Sequence, residues 1–169
     1  MSELVNKVKQ SKLKTVDLEK VVSGFTLFEL DLKDFLFQGL ILKEKDFREK
    51  LEEHIWQRYE NGYLTVYCST DAIIPTWAFM LVTQYAKPYA IDILYGNRQK
   101  AETEIYKKKI EAVDWSQYED GYVMLKGCSK LKLTPEIYMH ATNLIIPHVK
   151  KLMYGEACSN VPVYRDKNG

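Results

Sequence analysis

Cysteine is scarce in this chain, with three in 169 residues, and no two stand as C-x-x-C, so the strong local signature of a zinc or redox site is missing. Net charge is scarce too: 24 Lys and Arg against 23 Asp and Glu leave a formal +1. No global field draws in nucleic acid or an anionic membrane, and neither is expected as a partner. No run approaches the roughly 18 apolar residues of a membrane span, and Met1 to Lys7 lacks the apolar centre of a signal peptide. The chain is therefore expected to be cytoplasmic, where thiols stay free, metal-bound or catalytic instead of pairing in structural disulfides. Glycine-rich phosphate loops of the Walker or dinucleotide type are absent. The three histidines do not assemble an enzyme: His54 falls in a charged helix and is expected at the surface, while His140 and His148 lie two turns apart on one helix.

What is present is an ordinary globular composition, 46% hydrophobic and 28% charged, at a length suited to one domain spanning residues 1–169. Residues 1–20 are polar with scattered aliphatics and read as a loose arm or short helix. Phe25 to Leu32 reads as a strand, and Leu36, Phe37, Leu40, Ile41 and Leu42 read as an apolar plug for one end of the core. From Glu44, Phe47, Leu51 and Ile55 recur at the spacing of an amphipathic helix that ends near Trp56 to Tyr59.

An internal repeat then governs the chain. Trp56-Gln57-Arg58-Tyr59-Glu60-Asn61-Gly62-Tyr63 matches Trp115-Ser116-Gln117-Tyr118-Glu119-Asp120-Gly121-Tyr122 at an offset of 59. Cys68-Ser69 and Pro75 then match Cys128-Ser129 and Pro135, and Tyr95-Gly96 matches Tyr154-Gly155. The repeats run from about 44 to 97 and from about 103 to 156, and each reads as turn, strand, Cys-Ser loop, helix and strand. Asn61-Gly62 and Asp120-Gly121 are turn signals, and Thr134-Pro135-Glu136 is a helix start. Trp77 to Val82 is apolar nearly all round and is expected to be the more buried helix of the pair. Gln99 to Val113 reads as an amphipathic helix between the repeats. Strands alternating with helices imply βαβ units, hence an α/β fold: a single three-layer domain with a largely parallel sheet flanked by helices.

In such sheets ligands collect beyond the carboxyl ends of the strands, where Cys68 and Cys128 both fall. Cys158, in Gly155-Glu156-Ala157-Cys158-Ser159, again follows a strand candidate and precedes serine. Neighbouring parallel strands lie about 4.8 Å apart, and two thiolates on one zinc are at most about 4.6 Å apart, so such cysteines can share a metal. Three thiols fit zinc with a fourth ligand, for which Asp71 is a candidate, or three corners of an iron-sulfur cluster. Helix N-termini behind Cys68 and Cys128 would favour thiolate. The other reading is that free cysteines pack in cores and that a duplication copies structural cysteines as faithfully as functional ones. On that reading the protein is a metal-free binding or scaffold module.

Leu32 to Arg48, Cys68 to Ala78, Gly127-Cys128-Ser129-Lys130 and Cys158 to Tyr164 resemble those of an uncharacterised protein family, a domain of unknown function found chiefly in Bacteroidota. The resemblance spans nearly the full chain and implies no established activity. It also implies a link to the genomic vicinity of SUF-type iron-sulfur assembly genes, and hence to iron-sulfur assembly proteins as partners in sulfur or cluster handling.

Overall fold

The computed structural model describes residues 13–127, 130, 131 and 133–167. In chain order the elements are β1 (Leu13–Val16), α1 (Leu18–Val22), β2 (Leu27–Asp31), α2 (Glu44–Glu53), β3 (Tyr63–Tyr67), α3 (Thr76–Ala86), β4 (Asp92–Tyr95), α4 (Arg98–Glu111), β5 (Gly121–Lys126), α5 (Pro135–Ile145), β6 (Val149–Glu156) and β7 (Ser159–Arg165). Short 3-10 turns follow β2, precede β3 and β5, and carry Pro147 after α5. The protein is mixed α/β with mostly parallel strands flanked by helices, as the alternation of patterns leads one to expect.

The strands divide between two sheets, each in its own compact unit. One unit comprises residues 24–104 and the other 1–23 with 105–169, so the first is inserted into the second, and the division falls within α4. In the inserted unit β3 lies between β2 and β4, parallel to both. Its core sets Leu30, Leu64 and Val66 of the strands against Phe47 and Leu51 of α2 and Ala78, Val82 and Ala86 of α3. In the split unit β5 lies between β1 and β6, parallel to both, and β7 is added antiparallel at the edge. Val16, Val123, Leu125 and Leu152 there meet Leu18 and Val22 of α1, Ile110 of α4, and Ile137, Ala141 and Ile145 of α5.

The two matching segments repeat local geometry as well as residues. Trp56 donates its indole N–H to Leu51 O at 2.8 Å, and Trp115 donates to Ile110 O at 3.0 Å. Asn61 and Asp120 hold φ of 61° and 57°, left-handed values that Asn and Asp tolerate best among residues with a side chain. Gly96 and Gly155 repeat a φ of 124° and 126°. An edge-on aromatic pair recurs as Phe79 with Tyr95 and Tyr138 with Tyr154.

Each copy also begins further upstream than the self-match indicates. Leu27 pairs with Tyr63 as Leu13 pairs with Tyr122. Asp31 and Asp17 then each accept a hydrogen bond from the backbone N–H two residues on, and each is followed by a fully buried leucine, Leu32 or Leu18. These upstream strands are short, so residue identity alone does not expose them.

Several local expectations are corrected. Residues 18–22 form α1, the short helix of the two alternatives, but 13–16 form the unexpected strand β1; the rest of that segment, 1–12, lies outside the described residues. Of the supposed plug only Leu36 is buried and Leu42 half-buried; Phe37, Leu40 and Ile41 are exposed on a tight turn closed by two hydrogen bonds between Phe37 and Ile41. Helix α2 stops at Glu53, which leaves Ile55 exposed. Helix α3 is no more buried than α5: each sinks three residues into its core, and Met80 is 68% exposed. The strand β7 goes unexpected because Pro162 interrupts its pattern; a proline lacking N–H is tolerated on an edge strand.

If the tryptophan hydrogen bonds anchor the two copies alike, Trp56→Phe and Trp115→Phe will each lower the unfolding free energy by about 1–3 kcal/mol, since each leaves a carbonyl without its donor and a small void. Urea unfolding of the two variants measures it.

Candidate functional site

Cys68 directly follows β3, where the sequence places it. It is half-buried, packs against the apolar core of its unit and lies 3.3 Å from Thr70 Oγ1. The loop around it is tied down: Ser69 N–H donates to Asp31 Oδ1 at 3.1 Å, and the Thr70 hydroxyl donates to Gly39 O at 2.8 Å. Asp71 is exposed on the same loop. Cys158 belongs to the other unit and is exposed in the turn between β6 and β7. Cys128 and Ser129 lie outside the described residues. Among the described residues no three His, Cys, Asp or Glu side chains come together as a metal site.

The titratable groups instead converge in a cleft of the inserted unit, along the outer edge of β2. It has a volume of about 530 Å³ and is lined by Glu29, Asp31 and Asp34 from β2 and its following turn, Lys50, Glu53 and His54 from α2 and its end, and Arg58, Tyr59 and Tyr67. The Asp31 carboxyl is held below its ordinary value: burial alone would raise it, but the hydrogen bonds from Ser69 and Lys33 N–H and the Lys33 ammonium outweigh that. Tyr67 is pushed up, by burial first and then by the carboxylates of Glu29, Asp31 and Asp34. Tyr59 is also raised by burial. Glu29 is anchored from the side by Arg98 at 3.0 Å.

His54 is the main departure from the sequence reading. Instead of facing solvent it is half-buried at the end of α2, stacked on Tyr59, edge-on to Trp56 and Phe35, with Nε2 2.8 Å from the Tyr59 hydroxyl. The helix ends one residue earlier, and the chain reverses into the Trp56–Tyr59 turn, which folds the aromatic residues back over the imidazole. His140 and His148 keep polar settings, Nε2 of the first 2.9 Å from Glu111 and Nδ1 of the second 3.0 Å from Glu119.

The two copies disagree at this cleft. Where one has Glu53, His54, Arg58 and Tyr67, the other has Ala112, Val113, Gln117 and Lys126; the strand register likewise sets Thr15 and Lys20 against Glu29 and Asp34. Features shared by both copies, the Trp hydrogen bonds and the Asp caps, serve the fold, whereas Glu29, Asp34, Glu53, His54, Arg58 and Tyr67 of the cleft have no like counterpart in the other copy. A signal for it was present in the sequence, as the positions where an otherwise faithful repeat changes charge. The split unit has a larger concavity, about 940 Å³, between α5 and the β6–β7 ribbon, but Tyr138, Met139, Ile146, Leu152, Tyr154 and Val163 make it chiefly apolar.

A family model described as "Protein of unknown function (DUF2480)" matches residues 2–166. The chain belongs to this family. No curated protein matches it, and no solved structure matches it. For a DUF2480 protein the geometry of the site is therefore the ground for function. No helix among the described residues is long and apolar enough to cross a membrane.

Burial and then the Arg58 charge hold the His54 pKa below its ordinary value of 6.5. A depressed histidine binds fewer protons folded than unfolded, so its contribution to stability is full above about 6.5 and is lost as pH falls through the folded value. The expected result is a stability decline on acidification below about 6.5 that is shallower in His54→Gln, with the His54 ring protons titrating below 6.5 by NMR.

Proposed function

We propose that this chain is a binding protein without a resident metal, with its ligand held in the cleft of the inserted unit. The observation that carries the reading is the divergence of the copies, which confines convergent carboxylates, His54 and Tyr67 to one of two otherwise matching units. Such a cleft suits a small polar ligand or a side chain rich in hydrogen-bond donors, received by carboxylates and a tyrosine hydroxyl. The contacts of Cys68 fit the same reading, since its thiol packs on the core and its loop fastens β2 to β3. We take the setting to be cytoplasmic, with neither nucleic acid nor membrane as partner.

A second reading assigns Cys68, Cys128 and Cys158, with Asp71, to zinc or an iron-sulfur cluster, in an accessory factor working with iron-sulfur assembly proteins. It draws support from the position of Cys68 and Cys158, each just past the end of a strand and followed by serine.

The two separate experimentally. Protein purified without oxygen or chelator is expected to contain no stoichiometric metal or acid-labile sulfide. Small polar ligands that raise its melting temperature should act equally on Cys68→Ser, Cys128→Ser and Cys158→Ser but lose their effect on Asp34→Asn and Tyr67→Phe. A cluster chromophore or stoichiometric zinc that disappears in Cys128→Ser would overturn the first reading and establish the second.

A further inference from the structure

The split unit carries cationic chemistry that neither reading uses. Across its sheet, on the face opposite the apolar core, Tyr122 of β5 pairs with Lys151 of β6, and Lys151 pairs with Arg165 of β7. Side chains directly opposite on paired strands share a face with Cβ atoms about 4.5–5.5 Å apart, and like charges so placed are destabilising. Lys151 and Arg165 are such a pair, and among the described residues neither side chain has a carboxylate within ion-pair distance or a hydrogen bond.

The register shift between Gly121 and Tyr122 leaves Lys150 as an extra residue on β6, a bulge of the kind that re-aims side chains beside functional sites. Lys150, Lys151, Arg165, Tyr122 and Asp166 line a pocket of about 190 Å³. Asp166 is held there by its backbone N–H, which donates to Lys150 O at 2.8 Å. Lys150 is tethered to Asp120 at 3.6 Å, and Asp166 is the single acid of the lining, so Lys151 and Arg165 leave the pocket with an excess of positive charge.

We propose that this pocket binds a phosphate-type oxyanion, with Arg165 and Lys151 as its two charged donors and the Tyr122 hydroxyl as a third. The repulsion between the two cations is relieved when an anion sits between them, which is the physical reason to expect a ligand there. Phosphate suits better than carboxylate because the guanidinium fork, the ammonium and the phenol together offer donors to more than two oxygens. The volume equals that of about six waters at about 30 Å³ each, enough for one phosphate group with residual solvent.

Inorganic phosphate is the first probe, titrated into the full chain against sodium chloride of equal ionic strength. Phosphate at about ten times its dissociation constant should raise the melting temperature by about 3–5 °C, saturably. In Lys151→Gln and Arg165→Gln this rise should vanish, while the melting temperature without phosphate stays level or climbs because the repulsion is gone. Broadening of the phosphate ³¹P resonance by the wild type, absent with both variants, gives a readout independent of stability. Methyl phosphate in a parallel titration distinguishes free phosphate, expected to bind tighter if the pocket takes the bare ion, from a phosphate monoester. No saturable rise over chloride, or a rise that persists in the Lys151→Gln/Arg165→Gln double variant, would overturn the proposal. Asp34→Asn and Tyr67→Phe, which test the cleft, leave this response unchanged, so the two sites succeed or fail separately.

Discussion

Parallel pairing of β3 between β2 and β4, and of β5 between β1 and β6, is the constraint from which the rest of each unit follows. Parallel neighbours cannot be joined by a tight turn, so each step across the sheet requires a crossover, and here the crossovers are helices. In the inserted unit α2 and α3 both meet the same strand face, because Leu30, Leu64 and Val66 share one core with Phe47, Leu51, Ala78 and Val82. The Asp cap after the first strand of each copy closes that strand and turns the chain, and at Asp31 the same carboxylate also fastens the Cys-Ser loop.

The duplication permits a comparison that a single copy would not. Where both copies keep a feature, the physical reason is local: an indole N–H that would be costly to leave unpaired, a left-handed Asn or Asp, a glycine at a φ no other residue readily takes. Where the copies part, they part in charge and in the added edge strand β7. The β2 edge gathers acids and a half-buried imidazole, while the other unit places lysines and an arginine beside a bulge at β5 to β7. The two units thus present different electrostatic surfaces.

Much of the fold was legible in the residues. The Trp-to-Tyr repeat, the Asn-Gly and Asp-Gly turns, the helix opened by Pro135 and the amphipathic run from Gln99 all correspond to elements of the structure. The candidate cleft was far less legible. Glu29, Asp34, His54 and Tyr67 are scattered over the chain and share no motif, and His54 in a run of charges gives no hint of the aromatic residues that close over it. The loop from Phe37 to Ile41 misled in the opposite sense: its apolar residues follow a buried Leu36, but two residues at positive φ, Gln38 and Gly39, turn the chain back before they can reach the core.

The sequence by itself determined most element types, the internal self-match and the mostly parallel α/β class, because periodicity, turn residues and caps act over a few residues and leave a local mark. Only tertiary structure decided that the strands divide between two sheets, that each copy begins with its own upstream strand, and which side chains meet at the β2 edge and at the Lys151–Arg165 pair. Those outcomes depend on register and pairing between segments distant in the chain, and a one-residue change in register sends every side chain of a strand to the opposite face.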